Sequence, residues 1–228
     1  MAQSANTETQ RSPIQDWLDA HGAQQRVIGG RSFVVRFASD DAERTAMASL
    51  GICDLSGLRK LGLKGRDAED LLLNAKLDVP TKVFESHPLV DGGLIIRIGS
   101  DEFFLESGIR NESVAAIAHQ LEVQAGQVFR VDHQEATFLL IGSRALAVLS
   151  QTCGINFGGE ARPRQAVFTR VAGVSCCVFP DLIRGVSAYR IWVDPTYALY
   201  LWETLVEICA SLDGRTIGTG WIYPESLS

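Results

Sequence analysis

One pattern occurs twice in this chain and limits its folding more than any other feature. Residues 58–64 alternate apolar and polar, as a half-buried strand does. Gly65 breaks the strand, and a helix begins there with Ala68 three residues on and Leu72 seven residues on. Residues 137–141 form a second apolar strand, Gly142 breaks it, and Ala145 and Leu149 recur at the same spacing. The segments beyond the two junctions match as well. After the first come strands at 94–98 and 102–106, joined by a turn at 99–101, and then a helix at 112–121. After the second come strands at 167–171, 174–179 and 189–193, and then a helix at 195–210 with Leu199, Trp202, Leu205 and Val206 on one stripe. A repeat of about 77–87 residues is far too long for a solenoid. Antiparallel strands with helices packed on one face bury such a pattern. The expected class is α+β, in two pseudo-symmetric halves.

The segments outside the repeat read simply. Residues 1–12 are polar and read as a disordered tail without a secretory signal. A short helix spans 13–20, a strand 32–37, and a helix 40–50, with Asp40 and Glu43 at capping-box spacing. The expected domains are 13–50 plus 137–228, and 51–136.

A net charge of −6 with no basic stripe argues against nucleic acid or an anionic membrane as partner. No apolar run approaches the roughly 20 residues of a membrane span. Five cysteines, an odd number without CxxC spacing, fit reduced thiols in the cytoplasm. Cys176 and Cys177 are strand neighbours and should face opposite ways. The four histidines show no metal-ligand spacing, so no metal site is expected. The pairs Gly29-Gly30 and Gly92-Gly93 read as tight turns rather than phosphate cradles.

Residues 51–72 read GICDLSGLRKLGLKGRDAEDLL. This resembles the glycine-cleavage T-protein family of folate-dependent aminomethyltransferases, with its G-x-x-D-L-S block, strand and G-x-D-A-x-x-x-L junction. Residues 12–37, 139–149 and 189–208 resemble, in the same order, the family's opening helix and strand, its second junction and its late strand and helix. The resemblance implies a folate-type channel with Asp54, Ser56, Asp91, Tyr189 and Arg190 as candidate contacts, and Asp91 as the one candidate for a catalytic carboxylate. Arg59 and Lys60 read as a solvated strand edge, with an anionic ligand tail as the second reading.

The departures carry as much weight. In LVDGGLIIRI, Gly92 and Gly93 stand where the family has two aspartates. In GVSAYRI, Arg190 stands on the glutamate that accepts from the pterin, and an arginine has no acceptor to offer. Ile222 takes the place of the arginine that meets the glutamate tail of folate. The family's C-terminal barrel is expected to be absent. Within the superfamily, the gamma subunit of heterotetrameric sarcosine oxidase is similar in these respects, and 97–103, RIGSDEF, matches its hairpin. That resemblance implies an assembly subunit without its own active site, whose partners carry flavin and folate. The other reading is a stand-alone tetrahydrofolate-dependent methyl- or aminomethyltransferase, which needs Asp91 or Glu106 as the channel acid. The K-G-C-Y-x-G-Q-E block of folate-binding iron–sulfur factors does not occur.

Overall fold

In the computed structural model of the chain, residues 9–123, 126–158 and 165–227 are described. In chain order the elements are α1 (Gln15–Ala20), β1 (Gln24–Ile28), β2 (Arg31–Arg36), α2 (Asp40–Ser49), β3 (Gly51–Asp54), β4 (Lys60–Lys64), α3 (Ala68–Asn74), β5 (Ser86–Pro88), β6 (Leu94–Gly99), β7 (Glu102–Glu106), α4 (Glu112–Val123), β8 (Phe129–Val131), β9 (Ala136–Ile141), α5 (Ala145–Thr152), β10 (Val167–Val171), β11 (Val174–Ile183), β12 (Val186–Val193), α6 (Ala198–Ser211) and β13 (Arg215–Thr216).

Apart from the β1-β2 hairpin, two sheets result. The larger runs β10-β11-β12-β9-β3-β13, and the smaller β5-β6-β7-β4-β8. Within them every pairing is antiparallel except that of β13 with β3. The repeat is visible in this order. In each sheet the strand before the junction, β4 or β9, lies beside the second hairpin arm, β7 or β12. The first arm, β6 or β11, comes next, and then an outer strand.

The junction glycines match in detail. Gly65 has φ +136° and Gly142 φ +119°, conformations that side chains avoid. The Gly65 N–H donates to the Asp101 carbonyl at 2.9 Å, where β7 begins, and the Gly142 N–H donates to Ser187 at 2.9 Å, where β12 begins. Each glycine carbonyl accepts from the alanine three residues on, at 3.0 and 3.1 Å. Those alanines, Ala68 and Ala145, are fully buried, as are Leu72 and Leu149.

Alternation along the strands sorts the core. Phe138, Leu140 and Ile191 face a cluster under α1, α5 and α6 that also holds Trp202 and Leu205. Leu61, Leu63, Phe103 and Leu105 face one under α3 and α4. The opposite faces meet each other, and Leu94, Ile96 and Phe104 of the small sheet pack on Phe179 and Trp192 of the large one. The helix α2 packs on that inner side of the large sheet, with Ala46 against Cys53, Leu139 and Ile141. Cys176 and Cys177 lie on opposite faces, and burial pushes both thiols up to about 12.

Several expectations need correction. Gly51–Asp54 pairs with β9, so it belongs to the large sheet, and the chain crosses to the small one only after Asp54. Residues 1–8 of the expected tail lie outside the described residues. The tail does not extend to Ser12, because Gln10 bridges to Arg31 and Ser12 is buried. The helix begins at Asp40, so its N-cap is Ser39, whose side chain makes no capping bond. Glu43 does reach back, accepting from the Phe37 and Ala38 N–H groups at 2.5 and 3.1 Å. The buried stripe of α6 is Ala198, Leu201, Trp202, Leu205 and Cys209, with Leu199 exposed.

Candidate functional site

Between the two sheets the strands bring polar side chains together from both halves. Glu106 closes β7 in phase with Phe104 and sits opposite Lys60 on β4. Arg190 and Trp192 of β12 share a face, and Thr137 of β9 lies opposite Trp192. Directly opposed residues share a face of the sheet, so all five point into the gap.

Glu106 is 0 % exposed. One oxygen, Oε1, accepts from Arg190 Nη1 at 2.7 Å. The other, Oε2, accepts from Trp192 Nε1 at 2.6 Å and Thr137 Oγ1 at 2.8 Å, and Lys60 Nζ lies 3.7 Å from it. A carboxylate offers about four acceptor positions, and three of them are taken by these hydrogen bonds, with the Lys60 charge beside them. Arg190 is equally engaged. Its Nε donates to Asp181 Oδ2 at 2.9 Å and its Nη2 to the Tyr223 hydroxyl at 3.3 Å. Burial opposes the Arg190 charge, but Tyr223, Glu106 and Asp181 outweigh it and hold the group above its ordinary pKa. Burial pulls the Lys60 ammonium below its usual range, and Glu106 offsets only part of that.

A cavity of about 500 Å³ opens beside this network, with Asp91, Gly92, Asp181, Arg190, Ile222 and Tyr223 in its wall. Of the positions that the sequence resemblance assigns to folate contacts, Asp91 and Arg190 therefore do converge on one cavity. Asp91, however, is committed to structure. Its Oδ1 accepts from the Gly93 N–H at 3.1 Å and its Oδ2 from the Ser113 N–H at 3.0 Å, in the first turn of α4. The Tyr223 hydroxyl reaches the Gly92 carbonyl at 3.4 Å across the cavity wall.

The remaining candidates lie elsewhere. Asp54 is buried and closes a local turn, its Oδ1 accepting from the Ser56 N–H at 2.9 Å. Burial raises its pKa against the hydrogen bonds of Ser56 and Ser12. Ser56 Oγ accepts from the Thr137 N–H at 3.1 Å, which ties the block to β9. Tyr189 is on the far face, against Phe157 under the helices, because strand neighbours point to opposite sides. It does not share the gap with Arg190. Lys60 is not a solvated strand edge, since its side chain is 2 % exposed.

Sequence reasoning missed the roles of Lys60, Thr137, Asp181, Trp192 and Tyr223. The readable signal was phase, as Glu106 keeps step with Phe104, and Arg190 with Trp192. Among the described residues no group of three His, Cys, Asp or Glu side chains could hold a metal ion, and no helix is long and apolar enough to cross a membrane.

No protein-family model matches the chain. Curated relatives do. An aminomethyltransferase of Desulfitobacterium hafniense (strain Y51) is 23% identical over 94% of this chain, and one of Alkaliphilus metalliredigens (strain QYMF) is 21% identical over 93%. The chain spans only 62% and 61% of their lengths. Among solved structures, the glycine cleavage system aminomethyltransferase T of Bartonella henselae aligns with a TM-score of 0.77 at 16% identity, covering 96% of this chain and 63% of that one. This chain has the glycine-cleavage T-protein fold. A second T-protein-like match is to a chain of heterotetrameric sarcosine oxidase from Corynebacterium sp. U-96, solved in complex with pyrrole 2-carboxylate. There the TM-score is 0.63 at 18% identity, covering 90% of this chain and 97% of that one. A fold is shared by many chemistries, so the fold alone assigns this chain no activity.

Proposed function

We propose that this chain is a non-catalytic, gamma-type subunit of a sarcosine oxidase-like flavoenzyme complex that oxidises N-methyl amines in one-carbon metabolism. Its flavin and folate would be carried by partner subunits, in the cytoplasm. The observation that carries this reading is the engagement of both Glu106 oxygens within the protein. The buried acid in the gap already accepts from Arg190, Trp192 and Thr137. A pterin edge made of donors would have to displace Arg190, which is itself fixed by Asp181 and Tyr223. The alignment with a chain of heterotetrameric sarcosine oxidase, over 97% of that chain, supports the same reading. Five free cysteines fit a reducing compartment.

A stand-alone tetrahydrofolate-dependent aminomethyltransferase is the second reading. It is favoured by the names of the curated relatives and by the cavity that Asp91 and Arg190 line. Two measurements separate the readings. Purification of the tagged chain from its native host should bring down a flavoprotein, recognised by absorbance near 450 nm, and calorimetry of the isolated chain with tetrahydrofolate should give no heat. Saturable binding tighter than about 10 µM, near −7 kcal/mol, with no flavoprotein recovered, would favour the transferase and sink the subunit reading.

A further inference from the structure

A second cavity, of about 520 Å³, opens where β4 meets α4 and shares no wall residue with the one that holds Asp91 and Arg190. Four cations line it, Arg31, Arg59, Lys60 and Arg130, against two carboxylates, Glu122 and Asp132. Two of the cations make no ion pair among the described residues, and Glu122 makes none either. Asp132 is held by Arg130 at 2.8 Å. Lys60 has Glu106 at 3.7 Å, a carboxylate it shares with Arg190. Among the described residues Arg31 and Arg59 have no ion-pair partner.

Each of these guanidiniums is steadied by one bond to a turn carbonyl. Arg31 Nη1 donates to Gly57 at 3.4 Å and Arg59 Nη2 to Gly29 at 3.3 Å, both beyond the usual range for such bonds. The Arg31 Nε is buried and has no hydrogen-bond partner. Burial lowers the Arg31 pKa to about 10, and the neighbouring Arg59 lowers it too. A half-buried cation facing another cation is the arrangement that folded proteins avoid unless a counter-charge arrives. Beside the pair, α4 contributes Val114, Ala115 and Ala118 to the wall, an apolar surface that a bare inorganic ion would leave uncovered.

We infer that this cavity binds a small organic oxyanion, a carboxylate or a phosphate ester, with its head between Arg31 and Arg59 and its apolar body along α4. Planar guanidiniums pair with such heads through two parallel hydrogen bonds. The site adjoins the gap through Lys60, which lines the cavity and also reaches toward Glu106, but it is distinct from the cavity of Asp91 and Arg190 and does not depend on the subunit reading.

The test uses the full chain at low ionic strength, about 10 mM, so that the charge is not screened. Calorimetric titrations use hexanoate, propyl phosphate and inorganic phosphate as probes. One saturable site for hexanoate or propyl phosphate is expected, with a Kd below about 1 mM and weaker binding of inorganic phosphate. The better of the two organic probes names the head group. Arg59→Gln, at an exposed side chain, should weaken binding at least about tenfold, and Arg31→Gln should abolish it, whereas Arg36→Gln, paired with Asp40 elsewhere, should change nothing. If Arg31→Gln fails to fold, the wild-type chain still decides. The bound probe should slow phenylglyoxal modification of Arg31 and Arg59, read by mass spectrometry. No saturation by any probe, or binding that is unchanged in Arg59→Gln together with unprotected arginines, would overturn the site.

Discussion

Glu106 joins the two halves through charge, and removing that charge exposes how much it compensates. In Glu106→Gln the side chain keeps its size, but Arg190 and Lys60 lose a buried counter-charge. Breaking a buried pair from one side typically costs about 3–5 kcal/mol, and urea unfolding at pH 7 should give a loss of that size. A loss under about 1 kcal/mol would mean that water reaches the gap. Arg190→Glu should be as damaging, because it sets a second carboxylate against Glu106. Asp54 provides the opposite case. Burial raises its pKa in the folded protein, so the folded state holds the proton more tightly than the unfolded one. Stability is therefore greatest below the unfolded value and falls as pH rises through the window up to the folded value. Asp54→Asn can still accept from the Ser56 N–H and should remove that slope, making the variant at least as stable as the wild type at pH 7. A steeper loss between pH 4 and 7 in the variant would contradict this. Arg190 drew notice in the sequence because it is a donor where the resemblance implies an acceptor, and the structure places it against Glu106. Lys60 did not, because its strand alternates as an edge strand would. Only the sheet order places β4 between β7 and β8, and no single strand records who its neighbours are.

The repeated junction was the most legible element, and physical constraint explains why. A Cβ on Gly65 would run into the Gln127 carbonyl oxygen, and one on Gly142 into that of Ser49. Both residues also have positive φ. No other residue type satisfies both demands, so the sequence shows them plainly. Gly173 offers a control, with φ +82° and nothing within 4 Å of an added Cβ. Gly173→Ala should lose about 1–2 kcal/mol from backbone strain alone. Gly65→Ala and Gly142→Ala should each lose clearly more, about 3 kcal/mol or above, in the same thermal or urea assay. Equal losses at all three sites would show that the carbonyls move aside freely. The elements that escaped reading lack such a signature. The strands β5, β8 and β13 have two or three residues, too few for a period to appear. The segment Gly51–Asp54 is buried along its whole length, so it shows no alternation, and nothing in it marks that the boundary between halves lies after it rather than before. In α6 the buried face is turned by about one residue from the expected stripe, since a helix that is apolar nearly all round leaves its stripe undetermined.

Over the whole molecule the chain nests one half inside the other. The large sheet takes strands from residues 51–54, 136–141, 167–193 and 215–216, and the small sheet lies between the first two in sequence. The small half is therefore tethered at both of its ends to the large sheet, after Asp54 and before Ala136. Their contact joins an apolar seam, Leu94, Ile96 and Phe104 against Phe179 and Trp192, to the Glu106 network beside it. An apolar seam alone tolerates sliding, whereas three directional bonds to one carboxylate fix the register between sheets. The protein should therefore unfold in one transition, with coincident midpoints for tryptophan fluorescence and far-ultraviolet circular dichroism. Four tryptophans report on it, and Trp192 stands in the seam itself. Glu106→Gln should do more than lower the midpoint. With the register released, the small sheet, which has only its own cluster under α3 and α4, should melt first, and the two signals should part by several degrees. If they stay coincident while stability falls, the carboxylate contributes energy without holding the halves in register. A second transition already present in the wild type would show that the seam and the two tethers are too weak a link to make the two sheets one cooperative unit.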